Sequence, residues 1–173
     1  MRKIKLIFPT PEMEKDALEF KMKFYNNGEK AISGSYKLDT DRYSYPEWLE
    51  ILRNNARADT ADPRFGVSDT FFAVDMENEI VGIINIRYDM TDFYKNSGHI
   101  GYSVAPDKRG QGCAAEMLRV VLEKARERGM TEVKLVCAAD NIPSKKTILA
   151  CGGKLNRLIG SGETVKEEYL IVL

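Results

Sequence analysis

Between His99 and Ala138 the sequence runs through a strand, a basic glycine-bearing turn, a long amphipathic helix and a second strand. The helix sets the constraint. From Gly110 to Arg128, the residues Ala114, Met117, Leu118, Val121, Leu122 and Ala125 recur at three-four spacing, and charged residues such as Glu116, Arg119, Glu123 and Lys124 fill the rest. Such a helix has one apolar face that must be buried, and Gly129 is placed to stop it. Strand–helix–strand brings the chain back in the same direction, which implies at least one parallel strand pair.

The rest of the chain supplies the layers around this unit. Residues 2–8 alternate weakly and predict a strand. Thr10-Pro11-Glu12 opens a helix that stops near Asn26-Asn27-Gly28. Residues 28–44 form a long polar loop with Tyr36 and Tyr43, and Tyr45-Pro46-Glu47 starts a second helix. Thr70–Asp75 and Ile80–Tyr88 predict a hairpin across Glu77-Asn78-Glu79, and residues 89–98 are a polar turn. Beyond the central unit come a helix from Pro143 to Leu149 and two strands, 154–159 and 165–173, around Gly160-Ser161-Gly162. The sum is α+β. A length of 173 residues makes one domain.

Several function classes drop out. Lys plus Arg is 26 and Asp plus Glu is 26, which removes the electrostatic reason for bulk nucleic-acid or anionic-membrane binding. No apolar run is long enough to span a bilayer, and the short run before Pro9 is too brief for a signal core. Cys113, Cys137 and Cys151 make an odd set without C-x-x-C spacing, and His99 is the only His. A Cys/His metal site is therefore not expected, and reduced cysteines suit a cytoplasmic protein.

The chemistry concentrates in Val104-Ala-Pro-Asp-Lys-Arg-Gly-Gln-Gly-Cys-Ala114. Gly110 and Gly112 allow backbone conformations closed to other residues. The free N–H groups of the turn and first helical residues, with the helix dipole, make an anion site suited to a diphosphate. Lys108 and Arg109 lie beside it. The spacing fits neither a nucleoside-triphosphate loop nor a dinucleotide fingerprint.

Arg109-x-x-Gly112-x-Ala114 resembles the [Q/R]-x-x-G-x-[G/A] acyl-CoA signature of the GCN5-related N-acetyltransferase superfamily. It follows a strand ending Gly-Tyr-Ser-Val-Ala-Pro, and Asn141-Ile-Pro-Ser144 resembles the family's N-x-x-S segment. The likeness covers roughly residues 70–173 in order. It implies one domain over residues 1–173, with an acyl-CoA-binding core at about 70–155 and acceptor-side helices and loop at about 10–60. The implied fold is a mixed, mostly antiparallel central sheet of six or seven strands with a splayed parallel pair and about four flanking helices. Acetyl-CoA is the implied co-substrate, with no metal. Its pantetheine arm would lie along the backbone at Val104, and its pyrophosphate on the amides of Arg109, Gly110, Gln111, Gly112, Cys113 and Ala114. Asn141 and Ser144 would lie near the arm. A homodimer is compatible with the resemblance.

The implied reaction is acetyl transfer to a primary amine of a small molecule or peptide. Only the uncharged amine attacks, and with a pKa near 10.4 about one Lys-like amine in a thousand is free at neutral pH. A base is needed, and His99, on the strand leading to Val104, has a suitable unperturbed pKa. Tyr102 and Tyr88 are further polar candidates. The family's acid, a Tyr four residues after the N-x-x-S serine, is replaced here by Ile148. That replacement keeps open a non-catalytic acyl-CoA-binding or regulatory module, and a protein-lysine or larger-acyl transferase is a further alternative. For the acceptor, Tyr36, Asp39, Asp41, Tyr43, Tyr45 and Trp48 gather in one segment, and Arg87, Asp89, Asp92 and Tyr94 in another. Aromatics with carboxylates would suit a cationic amine.

Overall fold

The computed structural model describes residues 3–162 and 165–173. Arg2, the first residue of the expected strand 2–8, lies outside them, and the strand itself is β1 (Lys5–Ile7). A 3-10 turn at Pro11–Met13 leads into α1 (Glu14–Asn26), and α2 spans Tyr45–Asn55. Next come β2 (Ser68–Val74), β3 (Ile80–Arg87) and β4 (Ile100–Val104). α3 (Cys113–Glu127), β5 (Glu132–Ala138), α4 (Ile142–Ala150), β6 (Lys154–Ile159) and β7 (Lys166–Val172) complete the order.

Among the described residues the architecture is α+β with four α-helices. The strands form two groups, β1-β2-β3-β4 and β5-β7-β6, and every ladder in them is antiparallel. The strand–helix–strand unit is β4–α3–β5, as expected. Its splay goes further than expected. β4 and β5 share no ladder and meet at a single bridge, Gly98 with Leu135. The gap that opens beyond that bridge is the feature that positions the site.

Two apolar cores sit on opposite faces of the first sheet. Phe71 and Ala73 of β2 and Val81, Ile84 and Ile86 of β3 pack towards α3, while Phe72, Val74, Ile80 and Ile83 pack towards α1 and α2. β2 is buried at every position because both faces are covered. α3 buries Met117, Leu118, Val121 and Ala125 completely, the face that the three-four spacing predicts. Met117, Leu118 and Val121 contribute about 1.5–3 kcal/mol each, so the helix is held firmly against the sheet.

On α2, Ser44 and Glu47 form a reciprocal capping box, and Trp48 is buried under β2 beside Phe72. The loop before α2 closes on itself. The Asp39 carboxylate accepts from Ile32 N–H at 2.8 Å and from Ser35 Oγ at 2.8 Å. Asp41 pairs with the nearly buried Lys21 of α1.

Candidate active site

β4 is an edge strand, and its register decides which backbone groups are free. Arg87 N–H donates to His99 O at 2.8 Å, and Ala105 N–H donates to Val81 O at 2.9 Å. Alternation in an antiparallel ladder then turns the main-chain groups of Ile100, Tyr102 and Val104 away from β3. They face a cleft of about 1150 Å³ whose far side is β5 and α4. That volume exceeds the usual small-ligand pocket of about 300–1,000 Å³. Apart from Val104 O, which Arg109 engages, unpaired strand groups of this kind need another partner, and an extended ligand supplies one.

The cleft continues to the turn before α3. Gly112 caps the helix at φ 82°, a left-handed conformation that orients the following amides outwards. The first helical backbone bond belongs to Glu116, whose N–H donates to Gly112 O. Among the described residues, the N–H groups of Gly110, Gly112, Cys113, Ala114 and Ala115 donate to no backbone carbonyl. These donors, with the positive end of the α3 dipole, form an anion cradle that needs no side chain.

The two basic side chains of the turn are engaged elsewhere. Lys108 pairs with Glu79, which also binds Lys23. Arg109 makes a two-pronged pair with Glu29, at 2.8 Å for each prong, and its Nε donates to Val104 O at 3.2 Å. Arg109 therefore fastens the loop at Glu29 to the end of β4, and the Glu29 carboxyl is held below its usual range by that guanidinium. Of the expected cofactor residues, Val104, Arg109, Gly110, Gly112, Cys113, Ala114, Asn141 and Ser144 line the cleft. Gln111 is in the same turn but not in the lining, and its side chain donates to Asp107 O. Asn141 caps α4 by accepting from Ser144 N–H at 3.1 Å, so the N-x-x-S spacing has a local structural cause.

His99 is the site residue that the structure does not bring to the cleft. It is 7 % exposed, and its Nδ1 accepts from Lys134 N–H at 2.9 Å while its own N–H donates to Lys134 O. Burial, reinforced by Lys134, pushes its pKa down. It is a joint at the closed end of the β4/β5 gap, and its geometry does not suit a general base.

Tyr102 is one of the further polar candidates. Its side chain lines the cleft, yet its hydroxyl is buried with no hydrogen-bond partner among the described residues. Ser144 and Thr147 of α4 are its nearest polar neighbours, and burial raises its pKa, so the proton stays on. Ile148, in the place of the family's Tyr, is 1 % exposed and packed in the core. The cysteines are free thiols. Cys113 is 1 % exposed, and burial pushes the Cys137 and Cys151 thiols up, away from nucleophilic use.

Three of the four carboxylates offered for a cationic acceptor have structural partners. Asp39 and Asp41 hold the loop as described, and Asp89 accepts from Val67 N–H at 2.9 Å. A second cavity of about 250 Å³ adjoins the cleft and shares Gly34 and Arg87 with it. Gly34 is obligatory there. It lies at φ 82°, and a Cβ on it would stand 2.2 Å from Gly101 O.

The sequence model of the acetyltransferase (GNAT) family matches residues 34–152. No curated protein sequence matches the chain. Among solved structures, the microcin C7 self immunity acetyltransferase MccE, in complex with acetyl-CoA and AMP, is similar over 99% of this chain and 93% of its own. The TM-score is 0.72 at 15% identity. Mycobacterium smegmatis RimJ, in complex with CoA-disulfide, is similar over 98% of this chain and 81% of its own, with TM-score 0.72 and 17% identity. The ribosomal-protein-S5-alanine acetyltransferase from Vibrio fischeri covers 98% and 91%, with TM-score 0.65 and 18% identity. At these identities the likeness is one of fold.

Proposed function

The chain belongs to the GNAT family of acetyltransferases, and we propose that it moves an acetyl group from acetyl-CoA to a primary amine. The observation that carries this reading is the continuity of one cleft from the free edge of β4 to the unbonded amides before α3. The chain's groups fit the co-substrate. The amides of Gly110 and Gly112–Ala115 would hold the diphosphate, and the free edge at Tyr102 and Val104 would pair with the arm. Asn141 and Ser144 border the same channel. Acetyl-CoA supplies a thioester whose carbonyl carbon accepts the amine nitrogen and whose thiol leaves.

The protein's part is positioning, charge stabilisation and one proton. Main-chain N–H groups on the open edge of β4 would stabilise a developing oxyanion. Tyr102 is the acid in this reading. Its unpartnered, protonated hydroxyl sits against α4 at Ser144 and Thr147, beside the position that Ile148 vacates. The amine proton passes to water, because among the described residues Glu29 is the only carboxylate in the lining and it is tied to Arg109. An α-amine, with an ordinary pKa of about 7.7–8.0, needs far less help than a lysine. Tyr102 also weighs against a purely CoA-binding module, since it restores the acid that Ile148 removes.

Titration calorimetry with CoA, followed by free-thiol release from acetyl-CoA with a panel of amines, tests the reading. Saturable binding and amine-dependent release are expected. Binding without release on any amine would establish the binding module instead.

A further inference from the structure

We infer that the acceptor is an amine carrying an oxyanion, and that Arg87 is the specificity residue that reads it. This rests on the acetyl-transfer reading above and concerns the second cavity of that site.

Arg87 ends β3 at the junction of the two cavities. Its Nη1 donates to Gly98 O at 2.9 Å, and its guanidinium lies 4.1 Å from the Tyr94 ring centroid. Its Nε is buried with no partner, and no carboxylate among the described residues is within ion-pair distance. A desolvated guanidinium without an anion is costly, and folded proteins normally pair it. Here the open side of that charge is a cavity.

The rest of the lining points the same way. Lys37 is a second cation in it, and neither Asp nor Glu is present. Asn85 uses Nδ2 to bond Asp69 O and Thr70 Oγ1, which leaves its buried Oδ1 unpartnered. The cavity thus offers fork-shaped donors for a carboxylate or phosphate and one neutral acceptor for an N–H group. Phe65, Phe93, Tyr94 and Tyr36 form aromatic walls around it. A polyamine would bring like charge against Arg87 and Lys37. A volume of about 250 Å³ admits an amino-acid-sized group and no folded surface.

The mouth of the cavity is also under backbone strain. Tyr36 and Lys37 are consecutive non-glycine residues at φ 47° and 75°. The Trp48 indole N–H holds them by donating to the carbonyls of Ser35 and Tyr36, at 3.1 and 3.0 Å. Non-glycine residues in the left-handed region are strained and persist where the surrounding structure holds them.

The test compares matched amines on the CoA-loaded protein by calorimetry: phenylalanine against phenethylamine, and O-phosphoethanolamine against ethanolamine. At least one anionic member should bind about tenfold or more tightly than its neutral-group partner, by the value of one charge-assisted fork. Preference in the first pair alone identifies a carboxylate, and in the second alone a phosphate. Arg87→Met should abolish the preference and Arg87→Lys should keep part of it. If Arg87→Met does not fold, the wild-type comparison decides by itself. Equal binding in both pairs, reversed preference, or no binding by any of the four overturns the inference. Thiol release is read separately with the same amines and with spermidine. Anion preference in binding without release on any amine overturns acetyl transfer and leaves this inference standing. Release with spermidine but with neither anionic amine overturns this inference alone.

Discussion

The two ends of the site are built from different materials. The turn between Val104 and Ala114 is backbone: N–H groups, a left-handed Gly112 and a helix dipole, all within one short stretch of chain. The second cavity, proposed for the acceptor, is side chain: Arg87 from β3, Tyr94 and Phe93 from one loop, Tyr36 and Lys37 from another. A backbone site is general for any ligand with the right anion. A side-chain site is specific and can change while the fold stays. On the proposed function, main chain would hold the common co-substrate, and side chains gathered from distant segments would select the acceptor.

The strongest blow to the backbone end is Gly112→Val. A β-branched residue at φ 82° either strains the turn by about 1–3 kcal/mol or forces it to relax. Relaxation turns the amides away, and CoA affinity should then fall by about 10–100-fold in calorimetry, since each 1.4 kcal/mol is tenfold. Binding of the acceptor analogues should change little. Unchanged CoA affinity with unchanged stability would show that the cradle is not the cofactor site.

Tyr102→Phe strikes between the two ends. It removes only the unpartnered hydroxyl, so the packing is kept. A positioned acid contributes about 10²–10⁴-fold, and a thiol is a good leaving group, so the loss in kcat should lie near the lower figure. KM for both substrates should hold. The fall of kcat at high pH should disappear with the hydroxyl. In the wild type it should lie above the ordinary tyrosine value, because burial raises the Tyr102 pKa.

These two residues also mark what could be read without coordinates. Gly112 was legible because its neighbours in sequence are its neighbours in space, and the amphipathic run of α3 fixes where the turn ends. The loss of the usual acid at Ile148 was equally visible. Its proposed replacement, Tyr102, stood only among the further polar candidates, because it reaches α4 through the parting of β4 from β5. Asp39, Asp41 and Asp89 looked like partners for a cation because sequence does not show that loop carboxylates are consumed by loop amides and a buried lysine. Arg87 stood in the second acceptor cluster, but that no carboxylate among the described residues lies beside it is a fact of three dimensions. His99 had the right chemistry and the wrong depth.

One ion pair couples the two ends. Arg109 and Glu29 are both partly exposed, at 44% and 34% of the side chain, so screening limits their worth to about 0.5–1 kcal/mol even with two-pronged geometry. A double-mutant cycle with Arg109→Gln and Glu29→Gln should return a coupling of that size in urea unfolding. Loss of the pair frees the loop from Val104 O, so KM for the amine should rise about two- to fivefold, more than KM for acetyl-CoA. Independent effects of the two changes would separate the regions that the pair is drawn as joining.

The smallest effect is expected at His99, and it separates a joint from a base. In the folded protein its pKa lies below the ordinary 6.5 because burial, then Lys134, and to a lesser degree Arg87 disfavour the charged ring, while Glu132 opposes them. The unfolded chain therefore binds a proton first as pH falls. Stability from this group is full above the unfolded value and is lost as pH drops through it towards the folded one. His99→Gln keeps an acceptor for Lys134 N–H and cannot titrate, so the difference in urea midpoint between variant and wild type should narrow or reverse from about pH 8 to pH 5. Thiol release by the variant should follow the wild type across the neutral range. A rate that collapses while the stability profile stays parallel would return His99 to the chemistry and require the β4/β5 gap to open further than this arrangement of strands allows.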